Sequence, residues 1–419
     1  MNISKVEERI CTIIRARAGA MLSDLRMHVG LPTGFNNKGP LDQTRFHLTS
    51  RLQRLGGTTE LVPGDPKPDW LHGVEPGGYI PPTAVCRRRP RRSASTPIPF
   101  LICGHLDTVH NPASPFKSLT IAPDGKTATG PGCVDMKGGL VVATTALEVL
   151  EEVGLDLAWT VVLNSDEETG SYYSESVIRR EGQRVAGEGG VGLVVEPALP
   201  DGSLVVERLG SGQFMIEARG RAAHVGRDFE QGVSAVTALA ERLVAAARLP
   251  FPSRGRIVNV GPVEGGMATN VVPDRARAWG NVRFPSPQVA EELAAGLDAL
   301  ATPPGHSSLP QVTVHRSFNR PAKPCLPATK LLAELAWRAA EDLGQKLPFG
   351  KTGGVCDGNI LQDAGLPTID TLGVRGGGLH TPQEWIEIAS LVERCQLLAI
   401  LIARIAAGNT PQEPPRTTR

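Results

Sequence analysis

The chain has 419 residues, with 44 Lys+Arg against 43 Asp+Glu and a formal charge of +1 at pH 7. That balance excludes a global attraction to nucleic acid or to an anionic membrane surface, and the length suits two domains better than one core. The cysteines, at positions 11, 86, 103, 133, 325, 356 and 395, form no CxxC pair and no even framework, which points to a reducing, cytoplasmic setting. The opening MNISKVEERICTIIRARAGA carries charges through its middle, and no apolar run approaches the roughly 20 residues of a bilayer span. Neither a signal peptide nor a membrane helix is expected.

In chain order, the first 70 residues alternate helix-like stretches (ERICTIIRARAGAMLSDLRMHV, QTRFHLTSRLQRLG) with Gly/Pro loops. CRRRPRR at 86–92 is a basic run. Pro90 and the SAST after it favour a solvated loop between strands over a nucleic-acid patch. PIPFLICGHLD then reads as a buried strand, GGLVVATTALEVLEEVG as a helix, AWTVVLNSD as a strand, SESVIRREGQRV as a helix and GVGLVVEP as a third strand. This order predicts an α/β layer with a mostly parallel sheet.

From about residue 207 the texture changes. RLGSGQFMIEARGRAAH, GRIVNVGPVEGG, RARAWGNVRF and PQVTVHRSF read as strands, with GVSAVTALAERLVAAARL and SPQVAEELAAGLDALA as helices. The order β-α-β-β-α-β suits a ferredoxin-like α+β module inserted into the larger domain. PATKLLAELAWRAAEDLG resumes the helical style, the sheet is expected to resume at LPTIDTLG, and the Pro-rich tail GNTPQEPPRTTR is expected to be disordered. The domains implied are 1–206 with 322–419, and the insertion 207–321.

Acidic and histidine residues recur where strands should end. In GHLDTVH, His105 and Asp107 project to one face of an extended segment, and a carboxylate commonly orients a metal-bound imidazole. Asp135 lies among glycines in GPGCVDMKGG, where helix capping is the simpler role. In NSDEETGS, Glu167 and Glu168 can share a site only where the strand gives way to a loop. Glu196 closes LVVEP, and His380 follows three glycines in GGGLHTPQEW. Taken singly, each has an ordinary structural explanation. Together they form a mixed His/carboxylate set at the carboxyl ends of strands, suited to two divalent ions with one bridging carboxylate and one unligated base. Zinc is the first expectation for such ligation.

In this order, GHLDTV, GPGCVDMKGG, NSDEETGS, GRAAHVG, NVVPDRARAWGNVRF and TGGVCDGN resemble the blocks of the M20 family of dinuclear zinc peptidases and deacylases. They are most similar to its glutamate carboxypeptidase (carboxypeptidase G2-like) branch. The resemblance runs from about residue 100 to 400. It implies a zinc-peptidase-like catalytic domain and an inserted lid and dimerisation domain. Two zinc ions per subunit are implied, with cobalt or manganese as alternatives. His105 and Glu196 would hold one ion, Glu168 and His380 the other, and Asp135 would bridge them. Glu167 would be the general acid/base, and Asp107 would orient His105. A cis Asp135–Met136 peptide is also implied.

His224 matches the histidine that the family donates across a homodimer. Asn270, Arg283 and Arg320 match residues that meet the substrate, with Arg320 near its carboxylate. The activity implied is release of a C-terminal glutamate-like residue from a peptide or an N-acyl amino acid. Removal of an acetyl or succinyl group from an amino acid is the alternative. Glu196 stands where the carboxypeptidase branch usually has Asp and where the deacylase and desuccinylase branches commonly have Glu. A catalytically silent, metal-stabilised dimer is the rival of another class; nucleic-acid and membrane partners are not expected.

Overall fold

The computed structural model describes residues 3–34, 36–74, 77–91 and 97–408. The SAST stretch and the polar tail expected to be disordered lie outside the described residues. At the centre is a six-stranded sheet in the order Thr58–Val62, Thr83–Arg88, Trp159–Asn164, Phe100–His105, Val191–Val194, Thr368–Ile369. The last four strands are mutually parallel, and Thr83–Arg88 runs antiparallel to both neighbours.

Every residue of Phe100–His105 and of Trp159–Asn164 is buried. That is what an uninterrupted apolar run demands, since helices cover both faces of a parallel sheet. The alternation of side chains divides the core. Phe100 and Ile102 pack with helices Lys5–Ala16, Ala18–Val29, Gly138–Glu152 and Ala389–Ala406. Leu101 and Cys103 pack on the opposite face with Glu175–Gly187 and Asp357–Asp363. Gly139 is needed for this geometry, because a Cβ there would lie 2.0 Å from the Val195 carbonyl oxygen. Only glycine lets the helix start press against the chain just beyond the Val191–Val194 strand.

The expected inserted topology is present. Strands Gly210–Arg219, Ile257–Gly265, Arg275–Phe284 and Gln311–Arg320 form an antiparallel sheet in the spatial order second, third, first, fourth. Helices Ala235–Ala246 and Pro287–Asp298 pack with it around Phe214, Ile216, Leu239, Val282, Phe284 and Leu297, a core separate from that of the large sheet.

Two local expectations change. The first helical stretch is broken at Arg17, whose side chain turns to Glu148 and Glu152 on the Gly138–Glu152 helix. The basic run is not a solvated loop throughout, since residues 86–88 belong to the Thr83–Arg88 strand. Arg87 pairs with Glu181 and Glu60, and Arg88 pairs with Glu151. Neutralisation by acids from other elements lets these arginines occupy a sheet. Among the described residues, no helix is long and apolar enough to cross a membrane.

Candidate metal centre

Three parallel strands deliver the site. His105 is the last residue of Phe100–His105, the two glutamates follow Trp159–Asn164 in a short 3-10 turn, Glu167–Thr169, and Glu196 lies two residues beyond Val191–Val194. The carboxyl edge of the sheet therefore carries the acidic groups and the imidazole together. Asp135 does not cap the helix that follows it. Its Oδ1 lies 3.2 Å from His105 Nε2 and its Oδ2 lies 3.5 Å from His380 Nε2. His380 Nε2 is also 3.3 Å from Glu168 Oε2. One ligand atom each from His105, Asp135 and Glu168 lies within 4.8 Å of the others. The Asp135–Met136 peptide is cis.

The electrostatics of this protein-only cluster describe a site short of positive charge. Burial pushes the Glu168 carboxyl up to about 7 despite its contact with His380. Burial also drives Glu196 well above the usual carboxylate range, opposed by His105 and reinforced by Asp135 and Glu167. Asp135 is buried too, yet its contacts with His105 and His380 hold it below the usual range. Contact with Asp135 and Glu168 raises His380 to about 10. Clustered, dehydrated carboxylates facing imidazole nitrogens are the donor set that a divalent cation satisfies.

Glu167 occupies a different environment from Glu168. Its Oε1 pairs with Arg320 Nη2 at 3.0 Å, and burial raises its carboxyl against that pull. Asp107 does more than face His105. Its backbone oxygen takes His105 Nδ1 at 3.0 Å, while its carboxylate accepts the Glu167 and Glu168 backbone N–H groups at 3.2 and 3.0 Å. One residue thus fixes the imidazole and the turn that carries both glutamates.

Beside the cluster opens a cavity of about 880 Å³ whose walls include Glu167, Glu168, His380, Arg283 and Arg320. His224 and Asn270 do not line it. They are neighbours on a small ribbon of the inserted module, where Ala223–His224 pairs with Val271–Val272 and the Asn270 carbonyl accepts from Val225 N–H. Arg320 is 2 % exposed, and its Nη2 is committed to Glu167, Ser171 and Asp357.

Sequence reasoning passed over Glu384 and Asp166, and took Asp357 only as part of the TGGVCDGN loop on the substrate side. Glu384, 1 % exposed, accepts backbone N–H groups from Gly132 at 2.8 Å, Val134 at 2.9 Å and Asp135 at 3.0 Å, and contacts His110 Nε2 at 2.6 Å. It holds the loop that presents Asp135, and its position four residues after His380 was the available signal. Asp357 receives Asn164 Nδ2 and Ser171 Oγ, both at 2.6 Å, behind Glu167. Asp166 receives Tyr173 N–H and Ser174 Oγ at 2.7 and 2.6 Å, bracing the glutamate turn.

Known proteins resemble this chain in sequence and in fold. The chain is 28 % identical over 320 residues to carboxypeptidase G2 from Pseudomonas sp., covering 74 % of each chain. It is 29 % identical over 317 residues to succinyl-diaminopimelate desuccinylase from Methylorubrum populi, covering 70 % of this chain and 78 % of that one. The structure of aminopeptidase PepT from Bacillus cereus superposes with a TM-score of 0.68 at 21 % identity, over 93 % of this chain and 99 % of that one. The model of peptidase family M20/M25/M40 matches residues 101–404, and the chain belongs to that family.

Proposed function

We propose that this metal-dependent peptidase or amidohydrolase cleaves an amide next to a carboxylate-bearing residue, releasing a C-terminal glutamate-like residue from a peptide or N-acyl amino acid. Removal of an acyl group from an amino acid, as in the desuccinylases, is the second reading, favoured by Glu196 at its ligand position. The observation that carries the proposal is the placement of Asp135, each of whose oxygens faces a different imidazole. His105 and Glu196 would hold one zinc ion, Glu168 and His380 the other, with cobalt or manganese as substitutes. Bound there, the cations supply Lewis acidity and bring the pKa of water toward about 7.

The chain's own residues do the rest. Glu167, with its carboxyl raised by burial, takes a proton from the attacking water and returns it to the leaving nitrogen. Arg320 holds that carboxylate in place, and Asp107 fixes the turn beneath it. Arg283 has a buried Nη1 without a hydrogen-bond partner among the described residues and faces the cavity, which suits it to a substrate carboxylate. Arg320 offers its remaining nitrogens to the same end.

His224 and Asn270 would reach the site of a second subunit. Support for a homodimer comes from the inserted module, which leaves Ile257–Gly265 as an edge strand and exposes Phe229, Val244, Val263 and Met267. The cysteines in the described structure are all free, in keeping with a cytoplasmic setting.

Glu167→Gln tests the mechanism. Zinc content should match wild type while turnover on N-acyl-glutamates falls by at least about 100-fold, as loss of an acid/base does. Turnover near the wild-type rate would remove Glu167 from the proton path.

A further inference from the structure

The cavity carries a cation that the hydrolytic chemistry leaves unused. Lys67 belongs to the N-terminal stretch DPKPDW, where Pro66 and Pro68 restrict the backbone on either side of it. Its Nζ donates to Thr169 Oγ1 at 2.5 Å and lies 4.4 Å from the centre of the Tyr173 ring. The stretch is tied to the inserted module. The Trp70 carbonyl accepts from Trp279 Nε1 at 2.7 Å, the Trp70 ring stacks on His315, and His72 meets Trp279 edge-on. Lys67 is therefore held half-buried in the cavity wall, beside the turn that carries Glu168.

No carboxylate in the described structure pairs with its ammonium within 4.0 Å. The neighbouring acids are engaged elsewhere: both Asp107 oxygens accept backbone N–H groups, and both Asp166 oxygens are taken by Tyr173 and Ser174. On the inserted module Arg283 likewise faces the cavity without an ion-pair partner among the described residues. Two partly dehydrated cations thus look into one cavity from two separate parts of the fold. Burial disfavours the charge on Lys67 while nearby Asp166 and Asp107 favour it without touching it, so its ammonium is free to donate a charge-assisted hydrogen bond to an arriving carboxylate.

Resting on the amide-hydrolase reading, we propose that the substrate is an amide bearing a negative charge on each side of the scissile bond. Arg283 reads one charge and Lys67 the other. The class comprises N-dicarboxylyl amino acids and short acidic peptides, and Lys67 is its specificity-determining residue.

The test compares N-succinyl-L-alanine with N-butanoyl-L-alanine, which differ in the terminal carboxylate, on zinc-loaded enzyme. Wild type should prefer the succinyl substrate, and Lys67→Met should lower the ratio of the two kcat/KM values by roughly 10- to 100-fold, the worth of a charged hydrogen bond. Most of that change should fall in KM, and Lys67→Arg should retain most of the preference. A ratio unchanged in Lys67→Met, or no succinyl preference in wild type, overturns the proposal.

Calorimetry with succinate separates the two readings. If neither amide is hydrolysed but succinate binds wild type and not Lys67→Met, the anion subsite stands and the amidase reading falls. Equal succinate binding by both proteins removes Lys67 from recognition.

Discussion

Glu384→Gln probes how the Asp135 loop is held. The carboxylate spreads its two oxygens over three backbone N–H groups, those of Gly132, Val134 and Asp135, and it is 1 % exposed, so water cannot substitute for it. Replacing one oxygen by an amide NH₂ points a donor at donors. The loss of a charged hydrogen bond costs about 1.5–3 kcal/mol, and a buried N–H left without an acceptor costs about 1–3 kcal/mol more. Together the change should remove about 2.5–6 kcal/mol from the region around the loop. Asp135 should lose its fixed position between His105 and His380, and outer-layer substitutions of this kind lower metal affinity by roughly 10- to 100-fold. Competition with a zinc chelator reads the affinity, and urea unfolding of the metal-free protein reads the stability. Wild-type zinc affinity together with a stability change under about 0.5 kcal/mol would refute the role given to Glu384.

Further predictions concern assembly and pH. If His224 works in the partner's site, His224→Ala and Glu167→Gln should each be inactive, while subunits re-paired at equal proportions should recover about a quarter of wild-type activity; no recovery on exchange would place His224 in its own subunit's site or outside catalysis. Glu181 is buried but held down to about 2 by hydrogen bonds from Arg87 and Arg184, below its ordinary 4.5. Its folded-state pKa is depressed, so its contribution of about 3 kcal/mol is present above pH 4.5 and drains away as pH falls toward 2. Glu181→Gln should lower stability at pH 7 and flatten the acid loss over that window, as measured by denaturant titration at each pH. An unchanged pH profile would contradict the ion cluster.

The residues legible in the sequence were those whose local pattern matched their final surroundings. Phe100–His105 and Trp159–Asn164 are apolar on both faces and end in polar site residues, so strand, burial and ligand position could be read together. The partly alternating strand Arg275–Phe284 and the two amphipathic helices of the inserted module were legible for the same reason. What escaped depends on partners far along the chain. Residues 86–88, within the run 86–92, looked like a basic loop because the neutralising Glu181 and Glu151 come from other elements. Glu384 reads as a loop acid until the Gly132–Asp135 loop folds onto it from about 250 residues away. Lys67 sits in a proline-rich stretch with no period, and only the fold brings it to Thr169 and Tyr173. The helix break at Arg17 was equally hidden, since its partners Glu148 and Glu152 lie on a helix more than 100 residues away.

Elemental analysis of protein equilibrated with zinc and freed of excess tests the metal centre most directly. Wild type should retain about two equivalents per chain, and Asp135→Ala, which removes the carboxylate shared by both positions, should retain less than one. Wild-type protein that holds no zinc, or Asp135→Ala that holds as much as wild type, would contradict a centre built around Asp135.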